Sequence, residues 1–292
     1  MQPIKYEPFS DAQEFSDLMP ELFDQYWSYQ PDTFSFDFLQ RTADLKVVCK
    51  ATTAEKADFI TPPALENAIQ KSARVNSPDT SEYPWGPPVN DSWTGWMEIT
   101  IDSLLKGVDI SRGEQEFGGP LFSVLAEGLV VNSHRRVLGH RLFQHHPDHW
   151  TFMIRDHSPL DLKVKNGKNY LLRSEIMGIT SIFYRQMNEV RWDPWKHKYM
   201  QPKLTYQAGP LTVRFASPHP LATIVTFMVG KVRVVQATCD PSNQYPTLTC
   251  ALRGVYNLSM SCYDKSSVHN IVKWILCPPE PARCLPLRGR KT

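Results

Sequence analysis

Histidine is the residue type that this chain concentrates most strongly. Six of its nine histidines lie within 24 residues: His134, His140, His145, His146, His149 and His157. A zinc site needs three or four ligands that converge on the ion at about 2 Å, and His145 and His149 would share a face of a continuous helix. Pro147 lies between them and disfavours that helix. The pattern therefore favours a basic, partly exposed surface, and we expect neither a metal nor a cofactor.

Cysteine is the second residue type that could ligate a metal or act as a nucleophile. Five of the six cysteines fall in the last 54 residues, at separations of 11, 12, 15 and 7 positions, without a CxxC pair. The usual zinc-finger spacing is therefore missing. The chain also lacks GxSxG, P-loop and GxGxxG motifs, which lowers the expectation of an enzyme. We predict buried thiols and no catalysis, with a zinc-stabilised module or a zinc enzyme as an alternative.

Residues 131–203 combine positive charge with tryptophan, since they carry 13 basic and 6 acidic side chains. Lys and Arg attract phosphate groups, and Trp beside Lys is used both at bilayer interfaces and for stacking on nucleic-acid bases. An ordinary solvated surface explains the same composition. The candidate residues for binding a membrane or a nucleic acid are Arg135, Arg136, Arg141, Lys163, Lys165, Lys168, Trp192, Trp195, Lys196 and Lys198.

A short tetrapeptide could recruit a partner protein. Tyr245, Pro246 and Leu248 fit the YPxL pattern, in which Tyr and Leu enter an apolar groove and Pro limits the freedom of the unbound peptide. A turn between two strands explains the same four residues, and we favour that explanation.

Charge is distributed unevenly along the chain. Residues 1–45 hold 9 acidic and 2 basic side chains, whereas the remaining 247 residues hold 30 basic and 21 acidic ones. The formal net charge of +2 thus combines an acidic head with a basic body. A basic body is attracted to polyanions such as membrane or nucleic-acid phosphates, while an acidic head can shield it or bind a basic partner.

Composition and periodicity predict four regions. We expect an acidic, partly helical N-terminal region (1–75), a Pro/Ser-rich linker (76–92), a core domain (93–276) and a basic, extended tail (277–292). The N-terminus lacks the pattern of a secretory signal, and the most apolar stretch, 221–235, is too interrupted to span a membrane. These features predict a cytosolic protein, with the nucleus as an alternative location.

The elements that must position these residues are short. Apolar residues at helical spacing predict a short amphipathic helix between Phe15 and Trp27, which Pro20 would kink and which we expect to pack on the protein's own core. A helix should begin near Thr61 and another near Pro120, the latter extending towards Leu142. Further helix is expected at 266–276. Alternation predicts strands at 97–101, 151–154, 160–164, 170–182, 211–215, 223–229, 231–236, 247–252 and 255–262. The predicted fold class is α+β, with twisted antiparallel sheets and a few packed helices.

The order of these features resembles a matrix protein of a non-segmented negative-strand RNA virus, of the rhabdovirus-like kind. The resemblance rests on EYPWGPP, WMEITID, PLFSVLAEGLVV, HWTFMI and GPLTVRFASPHP, between residues 83 and 235. It implies a soluble α+β protein that coats the inner leaflet of the envelope, condenses the ribonucleoprotein and self-associates. It also implies that Lys163, Lys165 and Lys168 face the membrane, and that Tyr245 and Leu248 recruit a host budding factor. The chain lacks the Lys-rich N-terminus, PPxY and PTAP of that group.

We therefore expect a non-enzymatic viral structural protein that binds anionic membrane and ribonucleoprotein or RNA and self-assembles in the virion. It would act in the host cytoplasm and at the inner face of the membrane. The alternative is a single-stranded nucleic-acid-binding viral protein, such as a movement protein or a silencing suppressor, because the same basic and aromatic residues would serve that function.

Overall fold

The computed structural model describes residues 12–42, 46–51, 59–76, 97, 100–106, 137–146, 149–158, 160, 167–189, 192–193, 198–199, 203–204, 221–240, 247–258 and 264–278. In these residues the helices are α1 (Ala12–Ser28), α2 (Phe36–Thr42), α3 (Pro63–Lys71), α4 (Ala73–Asn76), α5 (100–106), α6 (Arg173–Met187) and α7 (Lys265–Leu276). Residue 97 is also helical.

The strands of the same part of the chain include six that build the main sheet. These are β2 (Lys46–Ala51), β3 (Val137–His146), β4 (His149–Asp156), β10 (Leu221–Met228), β11 (Lys231–Asp240) and β12 (Thr247–Asn257). Six short strands form three two-stranded antiparallel sheets: β1 (Thr33–Ser35), β5 (Tyr170–Leu172), β6 (Asn188–Glu189), β7 (Trp192–Asp193), β8 (Lys198–Tyr199) and β9 (Lys203–Leu204). Their pairs are β1 with β5, β6 with β9 and β7 with β8.

The main sheet has the strand order β2-β12-β11-β10-β4-β3. Three neighbouring pairs are antiparallel, and two pairs, β10 with β4 and β12 with β2, are parallel. The parallel β4–β10 pair requires a long connection, and that connection contains α6. Gly230 adopts a positive φ of 70° in the tight turn between β10 and β11, a conformation that glycine adopts without steric cost. The α+β class is confirmed, with a mixed main sheet.

Helices cover both faces of the main sheet. Side chains of successive strand residues point to opposite faces. On β4, Phe152 and Ile154 join one hydrophobic core together with α1, α2 and α6. Met153 joins a second core together with α3, α4, α5 and α7. Strand β10 is buried at every position because it lies between both cores. The molecule is therefore built as a helical layer, a sheet and a second helical layer.

The N-terminal region shares these cores with the later residues. Helix α1 continues through Pro20 and packs against α6, with Met19 and Leu22 buried in the first core. Strand β2 forms one edge of the main sheet. The expectation that this helix packs on the protein's own core agrees with this contact. The boundary at 76–92 stays a prediction, because residues 77–92 lie outside the described part.

Met97 and residues 100–106 are helical, so the described residues of the predicted strand at 97–101 contradict that prediction. Met97, Ile101, Leu104 and Leu105 are buried, at the spacings of one helical face. Alternation over only five residues wrongly indicated a strand. Thr100 and Ile101 are both buried, and the helical period of 3.6 becomes visible only when Leu104 and Leu105 are included.

Two other boundaries were also wrong. The predicted strand 170–182 is strand only up to Leu172, and α6 follows. Because α6 is buried along most of its length, its apolar run does not distinguish helix from strand. Residues 137–142, into which the helix from Pro120 was predicted to extend, belong to β3, which begins at Val137. The predicted strands at 151–154, 223–229, 231–236 and 247–252 and the helix at 266–276 are confirmed within a few residues.

Helix α6 approaches the main sheet closely at Gly178. A Cβ atom there would lie 3.1 Å from Cδ1 of Ile154 and 3.4 Å from Cδ1 of Ile224 and of Phe152. We expect Gly178→Val to destabilise the protein by about 1–3 kcal/mol through overpacking. Gly178→Ala should cost less, because the better helix propensity of alanine offsets part of the crowding. Urea unfolding of both variants checks this, and a valine variant as stable as the wild type would contradict it.

Candidate anion-binding surface

The described side chains of the two helical layers differ in charge. The layer of α1, α2 and α6, which we call the acidic layer, carries Glu21, Asp24, Asp32 and Asp37 against Arg41 and Arg173. The layer of α3, α4, α5 and α7, which we call the basic layer, carries Lys71, Arg74, Lys106, Lys265 and Lys273 against Glu66, Asp102 and the capping residue Asp264. The four described carboxylates of the acidic head thus lie on one face of the sheet, and the described cations of the basic layer lie on the other.

The carboxylates of the basic layer are engaged within the protein. Lys273 Nζ lies 2.7 Å from Glu66 Oε2, and the hydrogen bond from Lys273 lowers the pKa of Glu66 although burial opposes this shift. Asp102 accepts a hydrogen bond of 3.0 Å from Arg141 Nη2. Asp264 accepts hydrogen bonds from the backbone N–H groups at the start of α7. These pairings reduce the repulsion that the carboxylates would exert on an incoming anion.

A cavity of about 380 Å³ opens in this layer between α3, α4 and α5. Its lining residues come from the end of α3, the start of α4 and the middle of α5: Ala68, Lys71, Ser72, Ala73, Arg74, Ser103 and Leu104. Ser72 ends α3 with its backbone N–H bonded to Ile69 O at 3.3 Å, and its hydroxyl accepts a 3.4 Å hydrogen bond from Val75 N. This change of direction brings Lys71 and Arg74 to one cavity, although they belong to different helices.

Six of the ten residues predicted to bind membrane or nucleic acid lie outside the described part of the chain. These are Arg135, Arg136, Lys163, Lys165, Trp195 and Lys196. Trp192 and Lys198 belong to β7 and β8, which pair with each other, but only their backbone is described.

Two predicted binding residues have other positions than expected. Arg141 is paired with Asp102 and its side chain is only 14% exposed, so it has a structural contact and not the predicted surface role. Lys168 is exposed, but it precedes β5, which pairs with β1 beside the acidic layer. It therefore does not belong to the basic layer.

The structure also corrects the predicted partner motif. Tyr245 and Pro246 lie outside the described residues, but Leu248 is 1% exposed and pairs with Cys239 in the main sheet. A leucine that is buried in the protein's own core cannot enter a groove of a partner. The prediction that Leu248 recruits a budding factor is therefore wrong.

Two described members of the histidine cluster, His145 and His149, are buried and do not belong to the predicted basic surface. His145 and His149 are 5% and 2% exposed, and their ring centroids lie 5.2 Å apart. His145 Nε2 lies 2.8 Å from Thr151 Oγ1, and His149 Nε2 lies 3.0 Å from Thr223 Oγ1. Burial lowers the pKa of His145 to about 3, although the backbone carbonyl of Ile275 opposes the shift. Within the described residues, no group of three His, Cys, Asp or Glu side chains could hold a metal ion.

The described cysteines behave as buried thiols. Cys239, Cys250 and Cys277 are buried, Cys49 is half-buried, and none of these four described cysteines forms a disulfide bond. Cys49 and Cys250 are partners in the parallel register of β2 and β12. The hydrogen bond with Cys49 and burial raise the pKa of Cys250, so this thiol stays protonated and is a poor nucleophile.

Sequence reasoning missed the cavity residues. Lys71, Ser72 and Arg74 follow the predicted helix that begins near Thr61, in a stretch that showed no unusual charge, and Ser103 is 29 positions beyond Arg74. The one local signal was KSAR at the end of the amphipathic pattern of α3, where a basic residue commonly ends a helix. That signal does not distinguish a helix end from a binding site.

Taken together, the fold and this surface define an α+β protein whose mixed sheet lies between an acidic and a basic helical layer. Comparison with protein-family models, curated proteins and solved structures finds no match to the chain. The described helices include none that is long and apolar enough to cross a membrane.

Proposed function

We propose that this protein is a non-enzymatic, matrix-like viral structural protein that binds anionic membrane through its basic layer. The observation that supports the proposal is the separation of charge across the main sheet, with the acidic layer on the opposite face. In this proposal the protein acts at the inner face of the host membrane and in the virion, where it self-associates and contacts the ribonucleoprotein.

The thickness of the protein makes this orientation favourable. Packed layers of secondary structure lie about 10 Å apart, so about 20 Å separate the two helical layers. The Debye length at physiological salt is about 8 Å. The repulsion between the acidic layer and the membrane is therefore largely screened when the basic layer lies on the lipid. Each Lys or Arg near an anionic leaflet contributes about 1 kcal/mol of binding.

Co-sedimentation with vesicles tests the proposal. Wild-type protein should bind vesicles that contain phosphatidylserine, bind neutral vesicles poorly, and bind less at physiological than at low salt. The double variant Lys106→Gln/Lys265→Gln removes two exposed charges of the basic layer outside the cavity. Its binding should weaken roughly 10- to 30-fold, as expected for about 2 kcal/mol.

A matched variant on the opposite face provides the control. Arg41→Gln/Lys168→Gln also removes two exposed charges, but on the side of the acidic layer, and it should change vesicle binding less than twofold. Equal losses in the two double variants, or binding that salt does not weaken, would contradict the assigned surface.

Single-stranded RNA added as a competitor separates the proposal from its alternative. RNA that removes the protein from vesicles, together with filter binding to RNA at low salt, would favour the single-stranded nucleic-acid-binding function. RNA that leaves vesicle binding unchanged would support the matrix-like function.

A further inference from the structure

The cavity between α3, α4 and α5 combines two cations with two hydroxyl groups. We propose that it binds a phosphomonoester, as a lipid headgroup or as a soluble phosphate. This inference rests on the proposed membrane binding and names the chemical group that the basic layer recognises.

The lining of the cavity matches the chemistry of such a group. Lys71 and Arg74 supply positive charge, Ser72 and Ser103 supply hydroxyl groups, and none of the described lining residues is acidic. A guanidinium can donate two parallel hydrogen bonds to phosphate oxygens, and an ammonium acts as a point charge. The volume of about 380 Å³ lies near the lower end of the usual range for ligand pockets, about 300–1,000 Å³, and suits a small headgroup.

A phosphomonoester fits this donor set better than a phosphodiester does. Near pH 7 a monoester carries a charge of about −1.5 to −2 and presents three acceptor oxygens, because its second pKa is about 6. A diester carries a single negative charge and has two unesterified oxygens. Two cations and two hydroxyl groups therefore satisfy the monoester more completely. Binding should also strengthen as the pH rises through about 6, where the ligand itself loses its second proton.

The cavity also lies where a membrane-bound molecule could reach a headgroup. Ser103 of the cavity and the exposed Lys106 belong to the same helix, α5, three positions apart, and residues at this spacing lie on one side of a helix. Lipid that contacts Lys106 would therefore be next to the cavity opening. The diffuse attraction of the basic layer and the specific site in the cavity would then act together.

Vesicles matched in surface charge test the inference. Phosphatidic acid carries a phosphomonoester, whereas phosphatidylserine carries a phosphodiester. At equal surface charge, the wild-type protein should bind phosphatidic acid vesicles at least 5- to 10-fold more tightly at pH 7.5, and this preference should shrink at pH 5.5. Lys71→Gln and Arg74→Gln should each remove most of the preference, and Arg74→Lys should restore only part of it. Lys106→Gln, outside the cavity, should weaken binding to both lipids equally.

Titration with glycerol 3-phosphate and with inorganic phosphate separates the two sources of the group. Saturable binding that Arg74→Gln weakens about tenfold or more, without any preference among vesicles, would identify a soluble phosphomonoester as the ligand. Phosphatidylserine binding without preference for phosphatidic acid and without binding of either soluble probe would overturn the inference while leaving the membrane proposal intact. Binding of the soluble probes without binding to any vesicle would instead overturn the membrane proposal and leave the phosphomonoester site intact. Circular dichroism melts of each variant show whether it is folded.

Discussion

Replacement of Glu175 by glutamine should destabilise this protein by about 3–5 kcal/mol, although no binding surface is touched. Arg233 Nε donates to Glu175 Oε1 at 2.8 Å and Arg233 Nη2 to Glu175 Oε2 at 3.2 Å. The two side chains are 1% and 0% exposed. Removing the carboxylate leaves a guanidinium buried and without its counter-charge, which is the main cost of breaking a buried ion pair.

The surroundings of Arg233 leave it no route to solvent. Its Nη2 also donates to the backbone carbonyl of Tyr170 at 2.8 Å, and its guanidinium lies 4.3 Å from the centroid of the Tyr170 ring. Burial acts to lower the pKa of Arg233, but Glu175 and Tyr170 hold it above its usual value. A guanidinium stays protonated in proteins, so deprotonation cannot relieve the loss of Glu175.

Urea unfolding of three variants checks this expectation. Glu175→Gln and Arg233→Met should each lose stability, because each removes one partner. The double variant Glu175→Gln/Arg233→Met should lose less than the sum of the two, since it buries no unpaired charge. A loss below about 1 kcal/mol for Glu175→Gln, or additive losses in the double variant, would show that the pair is not energetically isolated from solvent.

The same ion pair shows what the sequence could and could not predict. Alternation and apolar content predicted β10 and β11. In that pattern Arg233 is only one of the polar residues that interrupt the apolar stretch 221–235. Its partner lies 58 positions earlier, in α6, within a stretch that was predicted as strand. Local patterns carry no information about such a pairing, because it depends on which helix covers which face of the sheet. The α+β class follows from local periodicity, whereas this contact depends on tertiary packing.

The histidines also show that local sequence patterns do not predict tertiary contacts. Pro147 lies between His145 and His149 and correctly indicated that they do not share a helix. They nevertheless come together, since β3 and β4 form an antiparallel pair in which His146 lies opposite His149. Spacing along the chain shows whether two side chains could share a helix face. It does not show that two strands pair and bring the two rings together. The cavity was missed for a related reason, because its lysine and arginine lie about 30 positions before Ser103 in the sequence.

Burial of His145 should make the protein sensitive to mild acid. The pKa of His145 is about 3 in the folded protein, against about 6.5 in an unfolded chain. Below pH 6.5 the unfolded state therefore binds a proton that the folded state excludes, so stability falls as the pH falls. The slope approaches 1.36 kcal/mol per pH unit between these two values, which gives a loss of about 2 kcal/mol between pH 7 and pH 5.

The variant His145→Gln isolates this contribution, because glutamine can still hydrogen-bond to Thr151 but does not titrate. Its free energy of unfolding should fall less between pH 7 and pH 5 than that of the wild type, with a difference approaching 2 kcal/mol. His149→Gln provides the comparison, since its ring lies against His145. If wild type and His145→Gln lose equal stability over this range, water reaches His145 and its pKa is not depressed.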